Sequence, residues 1–142
     1  TIPELIKRIK ELNKEVYILT NGFTLMAKKV ADYYNINGIF ANKHYIDDNG
    51  FIVGYDKDFP LAGNGGKVKI VKEFLTNSNK KAIMIGDGNN DYEVYKEGAS
   101  QYFLNFALNK DRKLESKKDK SDNNFIICKN KNDMLNFINN IE

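Results

Sequence analysis

The stretch "AIMIGDGNND", residues 82–91, decides how the rest of the chain is interpreted. Four apolar residues come first, and two carboxylates and two amides follow them around two glycines. The apolar run is typical of a buried strand in a parallel sheet, so we expect Asp87 at the carboxyl end of that strand. Asp91 would then lie on the first turn of the next helix. Carboxylates in such places suit Mg²⁺, although an acidic residue at a helix start also stabilises an ordinary polar turn.

Two further polar features follow the same logic. "EVYILT", residues 15–20, is a second apolar run and ends at Thr20. The next amides, of Asn21 and Gly22, precede a predicted helix, where they could bind a phosphate or where Thr20 and Asn21 could cap the helix. Lys67 follows the flexible stretch "GNGG". Its ammonium could reach a phosphate, but a lysine after glycines is also commonly a solvated side chain.

Helical and strand patterns alternate along the chain. A helical stripe occupies residues 1–13, and a β-hairpin over about 43–58 is predicted from the turn-forming pair Asn49-Gly50. Further strand patterns in "KAIMIGD", "SQYFLN" and "NNFIIC" are separated or followed by helical ones. Alternation of this kind predicts an α/β fold with a mostly parallel sheet and helices on both faces. Ligands of such sheets gather at the carboxyl ends of the strands.

Composition excludes several classes of partner. The chain has 142 residues, of which 22 are basic and 19 acidic, a net charge of +3. The Lys-rich segment 110–120 alone holds six basic and three acidic residues, so the rest of the chain is neutral. We therefore predict a solvated loop or helix face there and no nucleic-acid binding. No membrane-spanning stretch or signal peptide is visible, and the lone Cys128 fits a cytoplasmic protein.

The order of a strand-terminal hydroxyl, a loop lysine and an acidic pair resembles the haloacid-dehalogenase-like (HAD) phosphatases. They carry a Thr or Ser, then a Lys, then a GD-x₃-D motif. Within that superfamily the chain is similar to phosphoserine phosphatases from about Ile2 to Gly98, in "VYILTNGF", in "IFANKHYIDDNGFIVGYDKDFPLAGNGGKVKIV" and in "IMIGDGNND". The resemblance implies a HAD-like Rossmannoid core with a hairpin insertion. It also implies Mg²⁺-dependent hydrolysis of the small phosphomonoester O-phospho-L-serine through an aspartyl-phosphate.

The same resemblance assigns the phosphate-binding residues. Thr20 and the amides of Asn21 and Gly22 would hold the phosphate. Lys67 would neutralise the phosphoryl oxygens and steady the attacking carboxylate, and Asn90 would contact the substrate phosphate. Because Asn21 replaces a glycine of the family, the approach of the backbone to phosphate would be narrower here.

The resemblance also assigns the metal-binding residues and shows what is missing. Asp87 would ligate Mg²⁺, and Asp91 would orient the metal ligands from outside the coordination sphere. The family's nucleophile lies in an Asp-x-Asp-x-Thr motif, but the nineteen residues before Thr20 contain no Asp. The family's helical cap and a central strand of its sheet are absent as well. We therefore expect a partial HAD-like core over residues 1–142, a portion of a longer polypeptide that is inactive alone.

Alternatives remain open at this point. Asp56 and Asp58 have the Asp-x-Asp spacing, but they follow the hairpin and precede Pro60, so we do not assign them the nucleophile. The complete protein could be another HAD phosphatase or phosphotransferase. It could also be a non-catalytic domain that binds a ligand or partner and has lost the nucleophile. A homodimer is possible.

Overall fold

The computed structural model describes residues 2–106 and 114–141. The chain divides into two compact units, the first Ile2–Ile70 and the second from Val71 onward. The Lys-rich segment 110–120 lies partly outside the described residues. None of the helices in the described ranges has the length and apolar character that a bilayer crossing requires.

The first unit pairs two strands in parallel and carries a hairpin. Its elements in chain order are α1 (Ile2–Glu11), β1 (Tyr17–Phe23), α2 (Thr24–Tyr34), β2 (Gly38–Asn42), β3 (His44–Ile46), β4 (Ile52–Tyr55), a 3₁₀ turn (Pro60–Ala62) and the first half of α3 (Gly66–Leu75). β1 pairs with β2 in parallel, and β3 pairs with β4 in antiparallel. The predicted hairpin is confirmed, and Gly50 takes the positive φ of 85° that its turn requires.

The second unit is built on three parallel strands. Its elements are β5 (Ile83–Gly86), α4 (Asn89–Lys96), β6 (Tyr102–Asn105), a 3₁₀ turn (Glu115–Lys117), β7 (Phe125–Ile127) and α5 (Lys131–Asn140). The strand order is β5-β6-β7. The core is a cluster of Phe103, Leu114 and Phe125, and the rings of Tyr92 and Tyr95 pack against it from α4. Burial of these large apolar side chains fixes α4 on the sheet.

The α/β class with parallel strands is confirmed, but the parallel strands lie in two sheets and not in one. Among the described strands, β1 pairs only with β2, and β5 pairs only with β6. One edge of each strand therefore has no ladder partner in the described part of the chain. The central strand that the resemblance implies stays a prediction.

Tyr95 and Asp122 form a charge-assisted link in the second unit. The Tyr95 hydroxyl donates to both carboxylate oxygens of Asp122, at 2.8 and 2.9 Å. Asp122 also accepts the backbone amides of Asn124 and Phe125. Burial and the bond to Asp122 raise the pKa of Tyr95 to about 12. Burial alone would raise the pKa of Asp122, but the hydrogen bonds outweigh it and lower that pKa below its ordinary value.

The variant Tyr95→Phe should therefore lose stability in a pH-dependent way. We expect the free energy of unfolding at pH 7 to fall by about 1 kcal/mol, since a hydrogen bond to a charged acceptor is lost at a partly exposed place. The pKa of Asp122 is lower in the folded state than in the unfolded state. The stabilisation by the ionised carboxylate is therefore complete above the unfolded-state pKa of about 4, and it disappears as the pH falls through the folded-state pKa. Urea unfolding should show the difference between variant and wild type narrowing below about pH 4. An equal difference at pH 7 and pH 3 would contradict this account.

Candidate functional site

The loop between β5 and α4 is held by the carboxylate of Asp91. Its Oδ2 accepts hydrogen bonds from the backbone amides of Asp87, at 3.2 Å, and Gly88, at 3.1 Å. Asp91 is only 7% exposed, whereas Asp87 is exposed to solvent. The two carboxylates therefore have different roles, because Asp91 shapes the loop from inside and Asp87 presents its charge at the surface.

Gly86 makes this arrangement possible. A Cβ at that position would lie 2.3 Å from Oδ2 of Asp91 and 2.5 Å from its Cβ, which no side chain tolerates. At Gly88 the corresponding distance to Oδ2 is 3.5 Å, an ordinary contact. The buried amide of Asn105 also donates to the carbonyl oxygen of Gly86, at 3.2 Å. The end of β5 is thus fixed where Asp87 begins.

The acidic loop fits a magnesium ion that keeps most of its water. No group of three or more His, Cys, Asp or Glu side chains that could hold a metal occurs within residues 2–106 and 114–141. Mg²⁺ commonly uses only one or two protein carboxylates and retains several waters. An exposed Asp87 on a loop whose shape Asp91 fixes meets that requirement. Asn90, the exposed second residue of α4, lies on the first turn of the helix that follows this loop.

Thr20, Asn21 and Gly22 form a bulge within β1. The register passes from Leu19 opposite Phe40 to Phe23 opposite Asn42, so three residues of β1 face one residue of β2. The predicted strand end at Thr20 is therefore wrong, because β1 continues to Phe23. Inside the strand the Thr20 hydroxyl accepts the Gly22 amide at 3.0 Å and closes a turn, and contacts of Asn21 with Asn42 and Leu61 hold the continued strand in place.

Asn42 connects this bulge to the 3₁₀ turn Pro60–Ala62. Its Nδ2 donates to the carbonyl oxygens of Asn21, at 2.8 Å, and Leu61, at 3.1 Å. The Asn21 side chain donates to the same Leu61 carbonyl at 2.8 Å. Asn42 is 3% exposed, and its Oδ1 has no hydrogen-bond partner within the described residues. Asn42 was not among the predicted site residues, and its position directly after the apolar residues "IFA" was the available signal in the sequence.

Lys67 is placed by the same turn. It is the second residue of α3, and the helix begins at Gly66. A Cβ at Gly66 would lie 1.9 Å from the carbonyl oxygen of Pro60, so only glycine allows the helix start to approach the turn this closely. The bulge and the start of α3 thus lie against one turn. Lys67 itself is half-buried.

The predicted site residues therefore fall into two groups, one in each unit. The group predicted to bind phosphate lies in the first unit and contains Thr20, Asn21, Gly22 and Lys67. The acidic-loop group of the second unit contains Asp87, Asn90 and Asp91. Within each group the structure places the residues on one bulge and helix start, or on one loop. Whether the two groups act together stays a prediction.

Comparison with known proteins identifies the family. A family model described as haloacid dehalogenase-like hydrolase matches residues 1–98. Phosphoserine phosphatase of Homo sapiens is 39% identical over 96 residues, which cover 66% of this chain and 43% of that protein. The chloroplastic phosphoserine phosphatase of Arabidopsis thaliana is 35% identical over 109 residues, covering 75% of this chain and 37% of that protein. The chain thus spans about two fifths of the length of these relatives.

Solved structures share the fold. A phosphoserine phosphohydrolase-like protein from Francisella tularensis matches with a TM-score of 0.79 and 23% identity, over 96% of this chain and 61% of that one. A substrate-bound phosphoserine phosphatase complex matches with a TM-score of 0.71 and 20% identity, over 95% and 61%. Both similarities confirm the predicted fold class, because TM-scores of this size mean that the helices and strands are arranged in the same way.

The variant Gly86→Ala should disrupt the acidic loop. We expect its free energy of unfolding to fall by about 2 kcal/mol or more, because the new methyl group overlaps the Asp91 carboxylate and forces it away from the two amides. Gly88→Ala is the matched control and should change stability by no more than about 0.5 kcal/mol. Urea unfolding of both variants measures this difference. Equal stability of the two variants would show that Gly86 is not required for the Asp91 contacts.

Proposed function

Because the chain belongs to the haloacid dehalogenase-like hydrolase family, we propose that the complete protein hydrolyses O-phospho-L-serine to L-serine and phosphate with Mg²⁺. The observation that carries the proposal is the 35–39% identity to phosphoserine phosphatases of a plant and of mammals. Since the chain covers only 37–43% of those relatives, the activity of the complete protein is proposed from this similarity. The role of residues 1–142 as a partial HAD-like core is part of the same proposal.

In this mechanism the first unit binds the phosphoryl group. The hydroxyl of Thr20 and the amides of Asn21 and Gly22 donate to its oxygens. In this structure the Gly22 amide donates a hydrogen bond to the Thr20 hydroxyl oxygen. It would exchange that bond for one to the phosphate. The ammonium of Lys67 neutralises charge on the phosphoryl oxygens and on the attacking carboxylate. That carboxylate, which forms the aspartyl-phosphate, is supplied from outside this chain.

The second unit would supply the metal-binding groups. Asp87 would hold Mg²⁺ directly, and Asp91 would keep the loop in shape through its contacts with two backbone amides. Mg²⁺, when bound, supplies positive charge to the phosphoryl oxygens. The side-chain amide of Asn90 donates to the substrate phosphate.

Two alternatives keep specific support. The resemblance assigns selection of the substrate to a helical cap that is not among residues 1–142, so another phosphatase or phosphotransferase on the same scaffold fits the same site residues. A non-catalytic binding domain fits the absence of an Asp-x-Asp-x-Thr motif in these residues. Phosphate release from phosphoserine would support the proposed function, and release from another phosphomonoester only would support the first alternative. Release from neither would support the non-catalytic binding domain.

We further propose a cytoplasmic location for the protein. Burial, with a smaller effect from Asp133, raises the pKa of the Cys128 thiol to about 11, so this buried thiol is unreactive at neutral pH. An inert lone thiol is compatible with the cytoplasm, although one relative is chloroplastic. The predicted homodimer stays a prediction.

In the complete protein, Asp87→Asn should lower Mg²⁺-dependent phosphate release from phosphoserine by about 10²–10³-fold. The variant keeps the shape of the side chain but removes the charge that would hold the metal. Lys67→Met should cause a loss of similar size, because the phosphoryl charge is no longer balanced. Asp58→Asn, an exposed carboxylate with the misleading Asp-x-Asp spacing, is the control and should retain activity within about twofold. Full activity of Asp87→Asn would overturn the assignment of the metal ligand.

The 142-residue chain alone should release no phosphate from phosphoserine above the rate without protein. The expected reason is that the attacking carboxylate is not among its residues. A malachite-green assay with Mg²⁺ measures the release, and the complete protein serves as the positive control. Magnesium-dependent release by the chain alone would show that one of its own carboxylates is the nucleophile.

A further inference from the structure

Residues 114–122, which include the described part of the Lys-rich segment, cover α4 in the second unit. We call these residues the covering segment. Leu114 is 3% exposed and belongs to the apolar cluster with Phe103 and Phe125. The ammonium of Lys118 donates to the carbonyl oxygen of Phe125 and lies 5.7 Å from the centroid of its ring. The segment is therefore attached to the core on both sides of Lys117 and is more than a solvated run of charge.

Lys117 contacts the first turn of α4. Its Nζ donates to Oδ1 of Asn89 at 2.7 Å and lies 5.4 Å from the ring centroid of Tyr92. Asn89 and Tyr92 are three residues apart and therefore share one face of the helix. A cation at a helix N-terminus is disfavoured by the helix dipole. The amide oxygen of Asn89 and the ring face of Tyr92 must therefore offset the unfavourable interaction of the Lys117 ammonium with the helix dipole.

Asn89 lies between the residues that the proposed reaction uses. Asp87 precedes it by two positions, and Asn90 and Asp91 follow it directly. Asp91 holds the loop from inside through the amides of Asp87 and Gly88. Lys117 holds the same loop from outside through the Asn89 side chain. The first turn of α4 is thus fixed at both its buried and its exposed side.

We propose that Lys117 is a positioning residue for phosphomonoester hydrolysis. By holding Asn89 it keeps the first turn of α4 in place, and with it Asn90 and the acidic loop. This inference rests on the proposed function. A displacement of about 1 Å in a positioned group can lower turnover by as much as about 10²-fold. Lys117 itself need not touch the substrate.

The first experiment measures steady-state kinetics on the complete protein with phosphoserine and with p-nitrophenyl phosphate. In Lys117→Met, which keeps the apolar stem, we expect kcat to fall about tenfold and KM to change less than about threefold, since Thr20 and Lys67 still bind the phosphate. Lys117→Arg keeps a charged donor and should restore most of kcat. Lys120→Gln, an exposed lysine of the same segment, should leave both constants unchanged.

A double-variant cycle tests whether the effect passes through Asn89. Asn89→Ala should lower kcat as much as Lys117→Met does. The double variant should lower kcat no further, because both changes remove the same contact between Lys117 and Asn89. Hydrogen exchange of the metal-free protein gives a readout that needs no turnover. The backbone amides of Asp87, Gly88 and Tyr92 should exchange faster in Lys117→Met than in the wild type. In Lys120→Gln their exchange rates should equal those of the wild type.

The outcomes separate this inference from the proposed function. If the wild type hydrolyses either substrate and Lys117→Met keeps kcat within twofold, the inference is overturned and the phosphatase function stands. If Asn89→Ala adds its full loss to that of Lys117→Met, the positioning role through Asn89 is overturned. If the wild type hydrolyses neither substrate, the proposed function fails and the role of Lys117 fails with it. Rescue by Lys117→Arg, with non-additive losses, supports the inference.

Discussion

The carboxylate of Asp91 accepts two backbone amides of the loop that connects β5 to α4, and much of the second unit follows from that contact. It is possible because Gly86 has no side chain at the point where the carboxylate approaches the strand end. The turn that results exposes Asp87 at the carboxyl end of β5 and starts α4 directly afterwards. The aromatic face of α4 then packs on β6 and β7, and the covering segment packs against the helix.

The first unit uses the same principle with different residues. A backbone bulge at residues 20–22, a glycine at the start of α3 and the buried amide of Asn42 all meet at one short 3₁₀ turn. In both units buried polar contacts to the backbone fix the loop, and the groups proposed to carry charge or bind phosphate are exposed or half-buried beside it. Such a division is expected for a site that must be rigid before its ligand arrives.

Local patterns predicted the elements well and their irregular joints poorly. Alternating strand and helix periodicity, the pair Asn49-Gly50 and the apolar run before Asp87 located β1, β5, β6, β7, the hairpin and the acidic loop, whereas β2 was not predicted. The continuation of β1 beyond Thr20 was missed because "TNGF" has no strand periodicity. It forms through contacts with Asn42 and Leu61, which lie 21 and 40 residues from Asn21. The contact between Lys117 and Asn89 spans 28 residues and was equally invisible.

The central proposal is that both groups of residues take part in Mg²⁺-dependent hydrolysis of phosphoserine. A crystal structure of the complete protein with Mg²⁺ and inorganic phosphate tests it most directly. We expect a phosphate within hydrogen-bond distance of the Thr20 hydroxyl and the Lys67 ammonium, and a Mg²⁺ ion at the carboxylate of Asp87. A phosphate bound away from Thr20 and Lys67, or a metal bound elsewhere than at Asp87, would contradict the proposed roles.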